Sequence, residues 1–254
     1  MARNLSLFAL EGIPEIEPGA PLAPLLLQAI ERAGMRLEAG DVLVLAQKIV
    51  SKAEGRQVRL ADVEPSARAL ELGLLTGKDP RLVELMLRES HEVLRAKMNV
   101  LIVEHRLGCV MASAGIDQSN VPSADDDCAL LLPEDPEASA RRLRDELCAA
   151  TGREVAVVIN DSFGRAWRNG VTGTAIGVAG IPALVDMRGR PDRDGRALHV
   201  TQVAAADELA AAASLVMGQA GEGVPAVLVR GFPYSRREGS VQELIRPRGE
   251  DLFR

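Results

Sequence analysis

Aromatic residues are scarce in this chain of 254 residues: four Phe, one Trp and one Tyr make up 2% of it. The core must therefore be built from Ala, Val, Leu and Ile, and a site that works by stacking bases on rings, as single-strand and RNA platforms do, is excluded. An excess of positive charge is also missing. Lys plus Arg is 30 against 36 for Asp plus Glu, a net charge of −6 with a pI near 5.3, which argues against nucleic-acid binding as the main task. Cysteines are few. Cys109, Cys128 and Cys148 have no CxxC spacing and cannot all pair, so they read as reduced thiols of a cytoplasmic protein and not as a metal-thiolate site. No apolar run approaches the roughly 20 residues of a membrane span, and the first residues carry a single Arg and no long apolar stretch, unlike a signal peptide. Neither GxxxxGK[ST] nor a GxGxxG between strand and helix occurs, so no phosphate site of the P-loop or Rossmann kind is expected.

What is present is globular: 47% hydrophobic and 26% charged residues, enough for one large domain or two small ones. Residues 6–10 read as a strand, and Leu22, Leu25, Leu26, Ala29, Ile30 and Ala33 recur at three and four, marking a helix that Gly34 ends. Residues 41–46 run continuously apolar, as a strand covered on both faces does. The pattern goes on with helices over 64–77 and 80–89, two or three strands over 91–109, a polar turn-rich stretch over 112–127 and a short strand at 130–132. A helix then opens at Pro136, a strand over 155–159 stops at Asn160, and the sheet signal resumes at 175–179. An exposed loop over 189–196, an Ala-rich helix over 204–217, a strand over 225–229 and a terminal helix over 240–245 complete it. The class is α/β in the broad sense, mixed α+β, because adjacent strand pairs interrupt any simple βαβ string.

Four segments place polar groups just after apolar strands. Residues 50–56 carry Lys52, Glu54 and Arg56, either a lysine held to meet a phosphate or the charged edge of a hairpin. Asp117 and Asn120, three apart among small residues, suit an oxygen-ligated divalent ion or, equally, Asx turns and caps. Asp161 and Ser162 follow a buried strand, where a second metal-binding carboxylate would arrive from a different element; an N-cap Asp before a Gly turn is the plainer alternative. Gly218, Gly221 and Gly223 are more glycines than a helix C-cap requires and allow backbone amides to approach a ligand closely. His91, His105 and His199 stand in no ligand spacing, and Asp125–Asp127 reads as a solvated acidic run.

Taken in order, Glu11-Gly-Ile-Pro-Glu-Ile16, Ile49-Val-Ser-Lys-Ala-Glu-Gly-Arg56, Ala114-Gly-Ile-Asp-Gln-Ser-Asn120, Asp161-Ser-Phe-Gly-Arg165, Met217-Gly218 with residues 221–225, and Arg230-Gly231 resemble the coenzyme F420-0:L-glutamate ligases, the gamma-glutamyl ligases of a deazaflavin coenzyme. The resemblance covers nearly the whole chain. It implies an unusual α/β ligase fold, one gamma-glutamyl ligase unit over 1–254 that admits two interleaved subdomains, and an intertwined homodimer with the groove near its interface. It also implies GTP-dependent amide formation between F420-0 and L-glutamate through an acyl phosphate, with gamma-linked extension of the tail as a further step. Two ions of Mn²⁺ or Mg²⁺, and a monovalent cation as an option, belong to the same picture.

Carried over position by position, Ile13, Pro14, Glu15, Ile16, Gln47 and Lys48 would contact the nucleotide, Lys52 would face its phosphates, and Asn120 would also meet GTP. Met217, Gly218, Gln219, Ala220, Gly221, Glu222, Gly223 and Val224 would wrap it. Asp117 and Asp161 would hold one metal, Ser162 and Gln219 would help hold a second, and Lys52, Asp117 and Asp161 would carry the chemistry. Ser162 stands where the family often has Thr, and Gln219 where some members have Glu, which removes a negative ligand. The residues 233–237 are more basic than in some members, and the nitroreductase-like domain fused to some bacterial members is not expected here. Two other readings are carried beside this one: a nucleotide-binding regulatory or structural protein, and a ligase for another carboxylate. A flat deazaflavin needs a surface to rest on, so at least one of Phe163, Trp167, Phe232 and Tyr234 is expected to line the groove.

Overall fold

The computed structural model describes residues 4–118 and 127–251. Its elements run β1 (Ser6–Ala9), α1 (Leu22–Arg32), β2 (Val42–Ala46), α2 (Gln47–Ala53), β3 (Gln57–Arg59), α3 (Ala67–Thr76), α4 (Pro80–Arg88), β4 (Ser90–Lys97), β5 (Val100–His105), β6 (Val110–Ala112), β7 (Cys128–Leu130), α5 (Pro136–Thr151), β8 (Ala156–Arg165), β9 (Arg168–Ala179), β10 (Val185–Asp186), β11 (Gln202–Val203), α6 (Ala205–Met217) and β12 (Ala226–Arg230). The arrangement is mixed α/β. Its main sheet has five strands in the order β1-β12-β2-β8-β9, with β2 and β8 parallel and the other neighbours antiparallel.

Alternation along the strands explains the unbroken apolar runs. Leu43, Leu45, Val157, Ile159 and Leu228 face one layer with Leu26 and Ile30 of α1 and Leu143 and Leu147 of α5. Val42, Val44, Val158, Val227 and Val229 face the other, where Leu209, Ala210 and Ala213 of α6 cover them. Helix α5 starts and stops where its sequence says: Asp135 accepts from the Ala138 amide at 2.9 Å, Pro136 occupies the first turn, and Gly152 closes the helix in the left-handed conformation.

A third apolar cluster, including Leu72, Val83, Met86, Leu101, Val103 and Leu131, lies under α3, α4 and the β4-β5-β6 sheet. It joins the main layers through a buried ionic knot. Glu89, just after α4, accepts from Arg56 at 3.0 Å and Arg106 at 3.1 Å, while Arg56 also donates to the Leu132 carbonyl at 2.9 Å. Burial alone would raise the Glu89 carboxyl, but the fully buried His105 and the two guanidinium groups outweigh it and hold the group at about 2.

Three expectations are corrected. Residues 47–53 form a helix instead of the tail of a strand or a hairpin edge, because turning helically lets Ile49 and Val50 enter the core despite their β-branched side chains, and Gly55 at φ +69° follows the turn out. Strand β8 does not stop at Asn160 but continues to Arg165, since β9 pairs with it along its whole length and forms a ribbon beyond β2. The terminal helix shrinks to a 3₁₀ turn over Val241–Glu243, with Pro247 preventing its extension. The cysteines are free, as expected.

A register shift at Ile159/Asn160 lets β9 meet a helix on each face. At Gly173 a Cβ would lie 2.3 Å from the Ala210 carbonyl oxygen of α6, and at Gly177 one would lie 2.5 Å from the Pro136 carbonyl oxygen of α5. Gly173→Ala is therefore expected to lower the unfolding free energy by about 1–3 kcal/mol, measured by urea titration. Gly164→Ala, with open space around its position, serves as the neutral control. Equal midpoints for the two would refute the close packing.

Candidate functional site

A cleft of about 670 Å³ opens where β2 ends and β8 runs on past it, at the carboxyl end of the parallel pair, where ligand crevices of α/β sheets form. The parallel register sets Ala46 opposite Asn160, and α2 begins at the very next residue. Gln47, Lys48 and Lys52 consequently stand beside Asn160, Asp161 and Ser162. The loop carrying Ile13, Pro14, Glu15 and Ile16 forms a second wall, and the segment from Met217 through Gly218, Gln219, Ala220, Gly221, Glu222, Gly223 and Val224 forms a third. All the described positions expected to contact nucleotide thus line one cleft. Asn120 lies outside the described residues.

Helix α2 presents its two lysines four residues apart, on one face. Lys52 is nearly buried and pairs with Glu15 of the first loop, and Lys48 Nζ lies 2.5 Å from Asp117 Oδ2. Asp117 comes from a separate element. The chain leaves β6 through a left-handed turn in which Ser113 and Ala114 both have φ +54° and Gly115 φ +65°, a conformation costing about 1–2 kcal/mol for each non-glycine residue. Gly115 is required there twice over, since a Cβ would also meet Leu132 Cδ1 at 2.9 Å. Beyond the turn Asp117 exchanges two backbone hydrogen bonds with Leu130, at 3.0 and 2.8 Å, which pin it to β7.

Asp161 sits half-buried in β8, one residue beyond its pairing with β2, and accepts from the Ser162 amide at 2.8 Å. Burial pushes its carboxyl up to about 6; the Asp117 charge adds to the rise, while the Ser162 amide and the Lys48 charge oppose it. Ser162 Oγ donates to Gln219 Oε1 at 2.9 Å and ties the strand to the glycine-rich segment. In that segment Glu222 Oε2 accepts from the Ala220 amide at 2.8 Å, and a Cβ at Gly218 would strike the Glu222 carboxyl carbon at 2.2 Å. The loop needs glycine at 218 for its backbone, φ +74° and ψ −176°.

Sequence reasoning passed over Asn160 as a site residue. Its side chain is 4% exposed, Nδ2 lies 3.7 Å from Met217 Sδ, and Oδ1 is buried with no hydrogen-bond partner. The available signal was a polar residue closing an otherwise apolar strand run. Arg165 and Arg168 lie exposed on the ribbon. None of the four rings is among the residues lining the cleft. Phe163 turns against the α1/α5 layer, Trp167 is 88% exposed where the ribbon reverses, and Phe232 stacks on Tyr234. Tyr234 lines a smaller cavity of about 380 Å³ at the opposite end of the sheet, whose arginines are matched by carboxylates, Arg144 by Glu238 and Arg236 by Glu154.

A family model described as F420-0:Gamma-glutamyl ligase matches residues 12–231, a span that includes every residue lining the cleft. The chain belongs to the F420-0:gamma-glutamyl ligase family. Proteins named coenzyme F420:L-glutamate ligase are similar over almost their full length: 49% identical in Methanothermobacter thermautotrophicus and 45% in Methanopyrus kandleri, each alignment covering 99% of both chains. The protein of that name from Archaeoglobus fulgidus is 44% identical over 99% of this chain and 97% of its own. The protein is thus an enzyme, a ligase. Among its described residues no helix is long and apolar enough to cross a membrane.

The raised Asp161 carboxyl has a consequence for ligase stability. Folded, it keeps its proton up to about pH 6, whereas unfolded it ionises near 3.8, so its charge opposes folding increasingly between those values and fully above them. Asp161→Asn is expected to stabilise the metal-free, nucleotide-free ligase by up to about 2 kcal/mol at pH 7–8, with the gain vanishing by pH 4. Thermal denaturation across pH checks it; a gain independent of pH would show that the charge is not the cause.

Proposed function

We propose that this ligase joins L-glutamate through an amide bond to F420-0, using GTP and divalent metal, and can extend the product by gamma-linked glutamates. The observation that carries the reading is the convergence on one cleft of two lysines from α2, the Asp161 carboxylate and a glycine-rich loop, with Asp117, itself not a lining residue, joined to that wall through Lys48. Asp117 and Asp161 would hold one ion, and the Ser162 hydroxyl and Gln219 carbonyl would help to hold a second, all through oxygen donors of the kind that suit Mg²⁺ or Mn²⁺. Water and phosphate oxygens would complete the shells of such ions. When bound, such ions neutralise the polyphosphate and polarise the phosphoryl group under transfer.

The chain's own residues supply the rest. Lys52, nearly buried on α2, and Lys48 beside it give the cleft the positive charge that a triphosphate would need, and the backbone of residues 218–224 could approach the nucleotide closely. A carboxylate of F420-0 is already ionised, so attack on the gamma phosphorus forms the acyl phosphate and releases GDP without a base. The amine of glutamate, after losing a proton, then attacks the acyl carbon, and inorganic phosphate leaves. Holding the partners together supplies much of the rate, because two polyanions and a carboxylate repel one another in water. We further take the enzyme to be a homodimer, a reading favoured by the exposed Trp167 and Val171 on the β8–β9 ribbon; sedimentation velocity should give twice the chain mass, and a monomer would remove it.

Incubation with F420-0, L-glutamate, GTP and Mn²⁺ is expected to give products heavier by whole glutamyl residues in mass spectra. Asp117→Ala and Asp161→Ala should each abolish the precursor-dependent release of GDP while the fold is retained. Nucleotide binding without glutamate incorporation would replace this reading with a regulatory one, and full activity of either variant would remove the metal assignment.

A further inference from the structure

The cation touching Asp117 in this structure is an ammonium of the chain itself: Lys48 Nζ lies 2.5 Å from Asp117 Oδ2. Neither partner is deeply buried, their side chains being 31% and 29% exposed, so the pair can part without opening the core. Lys48 and Asp161 line the same cleft, so the Lys48 charge acts on both carboxylates, in contact with Asp117 and through space on Asp161. Four residues on, Lys52 pairs with Glu15. A triphosphate entering this cleft meets two lysines that are already partnered.

We infer that Lys48 is an exchangeable counter-ion that couples nucleotide binding to metal binding: it occupies Asp117 until polyphosphate draws it away, and Asp117 then becomes available to a divalent ion. The inference rests on the metal role proposed for Asp117. An ion arriving alone must displace an ammonium from its ligand and accept a positive charge nearby. An ion arriving with nucleotide meets Lys48 turned toward phosphate. Coupling of this kind is reciprocal, so metal tightens nucleotide binding by the factor with which nucleotide tightens metal binding.

The sign distinguishes this role from simple phosphate binding or from support of the fold. Removing a cation that only binds phosphate leaves metal affinity in the nucleotide-free enzyme unchanged, and removing a merely structural residue weakens it. Removing a competitor tightens it. Mn²⁺ binding is to be followed by the electron paramagnetic resonance signal of the free ion, with and without a non-hydrolysable GTP analogue, in the wild type, Lys48→Met, Lys48→Gln and Asp117→Asn. Both Lys48 variants are expected to bind Mn²⁺ alone roughly tenfold more tightly than wild type, within the range of ordinary coupling energies, and to lose most of the tightening that the analogue gives. Asp117→Asn should weaken Mn²⁺ binding in either condition. If Asp117→Asn weakens binding but neither Lys48 variant tightens it, the exchange is overturned and the proposed metal site stands. If Asp117→Asn leaves Mn²⁺ binding unchanged, the metal role of Asp117 falls and the exchange with it.

Discussion

The parallel pairing of β2 with β8 is the constraint on which the site depends. Its register places Ala46 against Asn160, and because the helix after β2 starts without any linker, a single residue of slippage would move α2 relative to the carboxylate strand. The pairing is secured from both sides. Leu43, Leu45, Val157 and Ile159 are locked under α1 and α5, and Val42, Val44 and Val158 under α6, so a slip would put each side chain on the wrong face of a sheet with no polar face. A buried sheet of this kind defines geometry at its edge more firmly than any loop contact.

Against that rigid edge the fold sets groups that oppose stability. A half-buried carboxyl pushed up to about 6, a left-handed turn through Ser113 and Ala114 and an orphaned buried acceptor on Asn160 all cost free energy in the unliganded chain. They lie on or immediately before the residues expected to meet metal and nucleotide, the pattern of a site shaped for a bound state. The counterweight is structural. Glu89 gathers Arg56, Arg106 and His105 in a buried cluster, and Arg56 comes three residues after the end of the helix that carries Lys48 and Lys52. The same end of α2 is held by Glu54, its C-cap residue, which accepts from Arg142 at 3.1 Å.

The doubly buried strands were legible in the sequence because their apolar runs have no alternation, and α1, α4, α5 and α6 because their caps and spacing are explicit. Helix α2 was not legible. Ile49-Val50 has the local composition of a strand, and only the layer into which those side chains pack selects the helix. The continuation of β8 past Asn160 was hidden for the converse reason: Asp161, Ser162 and Gly164 are poor strand formers, held extended by a β9 partner too distant in composition to announce itself. The cleft residues of the first loop, α2 and the glycine-rich segment were legible through collinear motifs. Asn160 was not, since one polar residue at a strand end looks like the end of the strand.

The shortage of rings takes on a different meaning once the cleft is described. Its walls are aliphatic side chains, lysines, carboxylates and a glycine-rich loop, with no aromatic residue among the lining positions, and such a surface discriminates by charge and backbone hydrogen bonds instead of stacking. Selectivity of that sort is set by how many charges are matched when the ligand is seated. In the unliganded chain the two lysines of α2 are matched by Glu15 and Asp117. On the roles proposed for them, a metal without phosphate or a phosphate without metal would break a pair and leave a charge behind, and only the complete assembly would replace both pairs, favouring occupation of the cleft by all its components together.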